Sequence, residues 1–193
     1  MPLCAALERK NFFLLALLFH FITVVAIDIL TGACLSPSFC LGFLLKGSMT
    51  LPEAFIRGAT DLLAGLTFTY LISTLHLMPL SSPSVSRDLT ITEGFLVEAA
   101  LTAAFFVVIL FVSDIIPKFE IRRPIIATTI RLLITIGAPL TGCFMNPTIA
   151  LPFAIVTTGS LSSTVLLVYG LGPVLGTLLA MALWSPLKVQ HIV

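Results

Sequence analysis

Two segments of this chain read almost alike, and both break an apolar stretch with a proline. Thr31-Gly32-Ala33-Cys34-Leu35-Ser36-Pro37-Ser38 closes one long apolar run, and Thr141-Gly142-Cys143-Phe144-Met145-Asn146-Pro147-Thr148 closes another. Each leads into a short apolar run, Phe39 to Leu45 and Ile149 to Val156. Irregular backbone at membrane depth survives only where protein or a water-filled cavity surrounds it, because lipid offers freed N–H and C=O groups nothing to bond. A break that occurs twice therefore points to a conduction or binding pathway between two repeated halves.

This reading needs a membrane, and the composition requires one. Of 193 residues, 58% are hydrophobic and 10% charged, and the mean hydropathy of +1.14 exceeds what a soluble domain of this length exposes to water. A net charge of +1 builds no basic surface, which sets nucleic acid aside and leaves the lipid bilayer as the demanded partner. Cys4, Cys34, Cys40 and Cys143 lie in or beside apolar segments without zinc-ligand spacing, so no metal or other cofactor is expected. Nucleophile, base and orienting group do not recur at recognisable spacing, so the chain is not expected to be an enzyme.

A membrane helix needs about 20 mainly apolar residues. Five segments qualify: Asn11 to Leu30, Ala54 to Leu77, Ile91 to Ser113, Ile125 to Pro139 or Leu140, and Leu161 to Trp184. The runs after the two breaks, about residues 36–45 and 146–156, cover half a bilayer and suit re-entrant half-helices. The expected fold class is an all-α membrane protein, one domain over residues 1–193, with five transmembrane helices plus two re-entrant half-helices. Glu8-Arg9-Lys10 ahead of Phe12 to Ile29 also reads as a secretory signal; the apolar run is longer than such signals carry, so a retained span is expected. If the spans alternate, Lys46, Arg57, Lys118, Arg122, Arg123 and Lys188 share one face, which the positive-inside rule makes cytoplasmic together with the C-terminus. Arg9, Lys10 and Arg87 fall on the other face, against the preference of the first two.

The boxes Ser36-Pro37-Ser38 and Asn146-Pro147-Thr148, each preceded by Thr-Gly, occur in order between these spans, with Glu98 in the third span and Gly172-Pro173-Val174-Leu175-Gly176 in the last. From about Phe12 to Leu187 this pattern resembles the aquaporins, whose two inverted halves each carry a re-entrant Asn-Pro-Ala box. Both boxes depart from Asn-Pro-Ala, and the branch with such departures is the superaquaporins. The resemblance implies an aquaporin-like inverted repeat and a passive channel for water or small neutral solutes such as glycerol and hydrogen peroxide. It further implies a homotetramer, in the endoplasmic reticulum or plasma membrane. It places a narrow constriction at Ala16, Ile134, Cys143 and Ile149, where the family's usual Arg is replaced by Ile149. Such a small apolar ring without a fixed cation either admits larger neutral solutes or dewets and obstructs flow. The family has two spans before its first box and this chain has one, so the first helix is expected to be missing; a non-conducting structural or assembly role is the alternative.

The physics of the boxes supports transport without the family name. A half-helix N-terminus carries unpaired N–H groups and the positive end of a dipole, and two such ends facing each other repel cations. Asn146 can aim an amide donor into a pore while capping its own half-helix, and Ser36 can do both more weakly with one hydroxyl; the alternative is that both are N-caps only, with pore lining the stronger expectation for a repeated box. Pro37 and Pro147 suit the first helical turn, where no N–H is needed. Ionisable residues are costly in spans and so are functional candidates. His20, one turn from Ala16, lines the pore or simply packs. The resemblance implies that Glu98 braces the second loop. Arg131 is expected to pair with Glu98 or Asp61, the alternative being a cation returned to the pore. With Asp28, these residues also keep an ion-coupled carrier in view.

Overall fold

The computed structural model describes residues 18, 36–76, 80–116 and 118–190. Among these, every regular element is helical. The first span, with Ala16, His20 and Asp28, and the Thr31-Gly32 start of the first repeat lie outside the described residues.

The first element is the half-helix α1, Pro37–Leu45, of nine residues. It is followed by α2, Leu51–Thr74, of 24 residues, and α3, Ile91–Ile115, of 25. Next come α4, Phe119–Thr141, and the second half-helix α5, Pro147–Thr158, of 12 residues. The last helix starts as an α-turn at Ser163–Val165, runs through a π-helical stretch at Leu166–Leu171, and returns to α-helix as α6, Gly172–Gln190. Ile91–Ile115, Glu120–Thr141 and Ser163–Trp184 are long and apolar enough to cross a bilayer. At 1.5 Å per residue α1 and α5 reach roughly 14 and 18 Å, about half of the ~30 Å hydrocarbon core.

Local chemistry explains the boundaries. Thr90 and Glu93 form a reciprocal capping box at the start of α3, with the Glu93 amide donating to Thr90 Oγ1 at 3.2 Å and the Thr90 amide donating to Glu93 Oε2 at 2.7 Å. Gly142, at φ +83°, ends α4 in the left-handed conformation that glycine adopts freely. Two spans start earlier than the hydropathy reading has them. α2 begins at Leu51 rather than Ala54, because Pro52 sits comfortably in a first turn after Thr50. α4 begins at Phe119 rather than Ile125: Glu120, Arg122 and Arg123 are too polar for a membrane interior but extend the helix beyond it.

Long-range bonds show which helix ends share a face. Lys46, at the C-terminal end of α1, forms an ion pair with Asp114 at the end of α3. At the opposite ends, the Ser86 amide donates to the Leu140 carbonyl at 2.8 Å, tying the connection before α3 to the end of α4. The core that joins the halves is aromatic. Phe106, fully buried, stacks on Phe39 at 4.8 Å and meets Phe43 edge-on at 5.4 Å, so α1 lies directly against α3. Phe55, Ile56, Leu63, Phe68 and Tyr70 leave the outer face of α2 exposed, which in a bilayer is contact with lipid rather than with water.

Candidate functional site

The two boxes differ in how they start their half-helices. Asn146 occupies the N-cap of α5 in extended conformation, and its Oδ1 accepts from the Thr148 amide at 2.9 Å. This satisfies one of the first-turn N–H groups that a helix leaves open. Ser36 stands at the N-cap of α1 but makes no side-chain capping bond. Its hydroxyl is bonded instead to Ser38 Oγ at 2.7 Å, and both serines are buried. The expectation that Ser36 caps its half-helix, more weakly than Asn146, is therefore corrected: its hydroxyl turns to Ser38 instead of a first-turn amide. Pro37 and Pro147 occupy first turns of their helices.

The loop that delivers the second box is held by Glu98. This residue is completely buried in α3, and three donors converge on its carboxylate: Thr141 Oγ1 at 2.6 Å, the Phe144 amide at 3.1 Å and the Met145 amide at 2.7 Å. The loop needs that support. Besides Gly142, Cys143 and Met145 adopt positive φ, +54° and +50°, at a cost of roughly 1–2 kcal/mol for each non-glycine residue. A second buried bond, from the Tyr169 hydroxyl to the Thr141 carbonyl at 2.9 Å, anchors the same loop to the π-helical stretch. π-helical turns often mark functional positions. Glu98 bonds to this loop and not to Arg131, and among the described residues Asp61 is likewise not bonded to Arg131. The loop takes three of the roughly four acceptor sites of the Glu98 carboxylate.

The constriction positions are not alike. Ile149, on the first turn of α5, is 44% exposed, and Ile134 is partly buried. Cys143 is buried, with its thiol at 3.2 Å from the Leu133 carbonyl, and it packs so closely on Gly137 that a Cβ there would lie 2.8 Å from the sulfur. Its side chain thus belongs to the packing of α4 on the loop. Gly172, Pro173 and Gly176 are buried where α6 meets α3; a Cβ on Gly176 would lie 2.3 Å from the Ala99 carbonyl oxygen. Small residues at this crossing let two backbones approach, the usual way helices associate in lipid.

Both boxes rest on one face of α2. A Cβ built on Gly58 would meet Pro37 at 3.4 Å, and one built on Gly65 would meet the Thr148 carbonyl oxygen at 2.0 Å. Seven residues of helix span about 10 Å, so the two half-helix N-termini converge within that distance along one wall. Hydropathy gave no sign of Gly58, Gly65 or Tyr169, because each acts through a contact with a distant segment.

These features define a class: a polytopic helical membrane protein with two proline-started half-helices meeting beside one long helix. The chain belongs to the major intrinsic protein family, which it matches over residues 9–184. Two human sequences that carry the names aquaporin-12A and aquaporin-12B are 28% and 30% identical over 165 residues, 80% of this chain and 55% of each of theirs. Aquaporin-11 of Equus caballus is 26% identical over 177 residues, 87% of this chain and 64% of its own. The chain thus spans little more than half the length of the human relatives. All three relatives are superaquaporins, the branch that the degenerate boxes resemble. The structure of the aquaglyceroporin from Plasmodium falciparum has the same fold, with a TM-score of 0.75 at 21% identity over 89% of this chain and 81% of that one.

Proposed function

We propose that this chain forms a passive transmembrane channel for water and small neutral solutes, glycerol and hydrogen peroxide among them, along a path beside the two boxes. The observation that carries this reading is the convergence of both half-helix N-termini on the Gly58–Gly65 face of α2. Two positive dipole ends brought together disfavour cations while leaving N–H donors for neutral hydrogen-bonding solutes. Asn146 is the polar residue of this site: its oxygen caps α5, and its side-chain amide is the group we assign to contact with a passing solute. Ser36, Pro37 and Ser38 start the opposing half-helix, and Pro147 and Thr148 complete the second box. Ala16, Ile134, Cys143 and Ile149 are assigned to the narrow part by the family resemblance, with Cys143 acting through its backbone, while His20, Glu98, Arg131, Gly172 and Pro173 have supporting roles. The protein acts as a homotetramer with one path per subunit, in the endoplasmic reticulum or plasma membrane, with its C-terminus cytoplasmic.

Ile149 offers a direct test. An exposed isoleucine supplies neither charge nor donors, so glycerol and water meet the same apolar wall. Ile149→Arg is expected to lower glycerol uptake relative to water permeability by about tenfold in proteoliposomes, because a guanidinium narrows the passage and holds water. An unchanged glycerol-to-water ratio would remove Ile149 from the path.

A further inference from the structure

The second half-helix carries a proline inside it. In a regular α-helix the N–H of residue 152 bonds to the carbonyl of residue 148, but Pro152 has no N–H and its ring crowds that carbonyl. The Thr148 carbonyl, the last of the box, is therefore deprived of its usual donor and pushed outward. Gly65 of α2 stands where it points. A Cβ on Gly65 would lie 2.0 Å from this oxygen and 3.1 Å from its carbon, the tightest approach of any described glycine. With hydrogen in place of Cβ, the α2 backbone offers a Cα–H to an oxygen that has lost its i+4 donor. The rest of Thr148 does not supply an equivalent anchor. Its amide is taken by Asn146 within the same box, and its hydroxyl is buried without a hydrogen-bond partner.

We propose that Gly65 is a positioning residue for the second box, acting through the carbonyl that Pro152 frees at Thr148. Held at this point, α5 cannot slide or tilt against α2, so Asn146 and Ile149 on either side of the contact keep their depth. Gly58 provides the contrast. Its contact with Pro37 at 3.4 Å is ordinary, so the first box rests on α2 with room for a methyl group.

The flux part of the test rests on the channel reading; the stability part does not. Gly65→Ala is expected to reduce water flux per folded protein at least about tenfold and to lower Tm, because the methyl group must displace backbone. Gly58→Ala, whose methyl group meets Pro37 only at ordinary contact distance inside the same helix, should not lower Tm. Pro152→Ala restores an N–H that draws the Thr148 carbonyl back toward the helix axis, so Gly65→Ala should lower Tm less in that background. If Gly65→Ala alone yields no folded protein, recovery of folded protein in the double variant supports the proposal and failure to recover it overturns it. Equal Tm losses in the two backgrounds, or a tolerated Gly65→Ala, would also overturn it. Absence of flux from every form, with the Tm coupling intact, would count against the channel reading and leave the positioning role standing.

Discussion

Glu98→Leu is expected to abolish solute flux and to lower Tm by roughly 5–10 °C, at about 2–4 °C per kcal/mol for a chain of this size. Leucine fits the space but accepts nothing. The Phe144 and Met145 amides and the Thr141 hydroxyl would lose the acceptor that all three share. Each stranded buried donor costs about 1–3 kcal/mol. Removing a charge at membrane depth returns about 2.5–3.5 kcal/mol on insertion scales, roughly half of what three such donors cost at about 2 kcal/mol each. Relaxation of the loop limits the net loss to a few kcal/mol, and that relaxation misplaces the second box. The positive-φ conformations of Cys143 and Met145 are then released, and Asn146 no longer starts α5 from a fixed point. Glu98→Gln should fall between, since one amide oxygen still accepts while its NH2 opposes a backbone donor. Melting curves and flux on the same preparations check both. A Glu98→Leu protein with unchanged Tm would show that the three bonds contribute nothing net.

Gly42→Leu is the second large effect, expected to prevent assembly of the two halves. A Cβ at Gly42 would fall 2.3 Å from Phe106 Cε1 and 2.8 Å from Thr177 Cγ2, inside a cluster where Phe106 already stacks on Phe39. The ring cannot withdraw without breaking that stack. For Gly42→Ala, relief of glycine's helix penalty, about 1 kcal/mol, partly offsets an overpacking cost of about 1–3 kcal/mol, and the variant should remain folded with a lower Tm. Leucine adds three more carbons and no further propensity gain of that size. Gel filtration in detergent should show aggregated Gly42→Leu, and Phe106→Ala in the same chain should restore a monodisperse peak by vacating the space. A monodisperse, undisturbed Gly42→Leu protein would mean that α1 does not sit against α3 as described.

Some of this was legible in the chain alone. A proline one residue after Ser or Asn at the end of an apolar run is a local helix-start signal, so the half-helices, their order and the all-helical fold could be read directly. Asn146 caps its own helix because the interaction spans two residues. Ser36 reads as a weaker cap of the same kind, but its hydroxyl bonds Ser38, a choice between two short-range partners that residue type alone does not decide. The role of Glu98 was available only through the family resemblance, since its partners stand 43 to 47 residues away. Charge alone suggested Glu98 as a partner for Arg131, whereas Glu98 turns to a loop whose donors sequence patterning does not reveal. Gly65 and Pro152 were each visible as residue types, yet their relation exists only where α2 crosses α5.

The most direct test is stopped-flow osmotic shrinkage of proteoliposomes containing this chain, beside Asn146→Asp and empty vesicles. Aspartate keeps an oxygen to cap α5 while replacing the two amide donors with negative charge, so folding and solute contact are separated. Shrinkage faster than in empty vesicles, lost in an Asn146→Asp protein of unchanged Tm, is the expected result. Folded protein that shrinks vesicles no faster than lipid alone, or equal flux through the variant, would contradict a neutral-solute path at the second box.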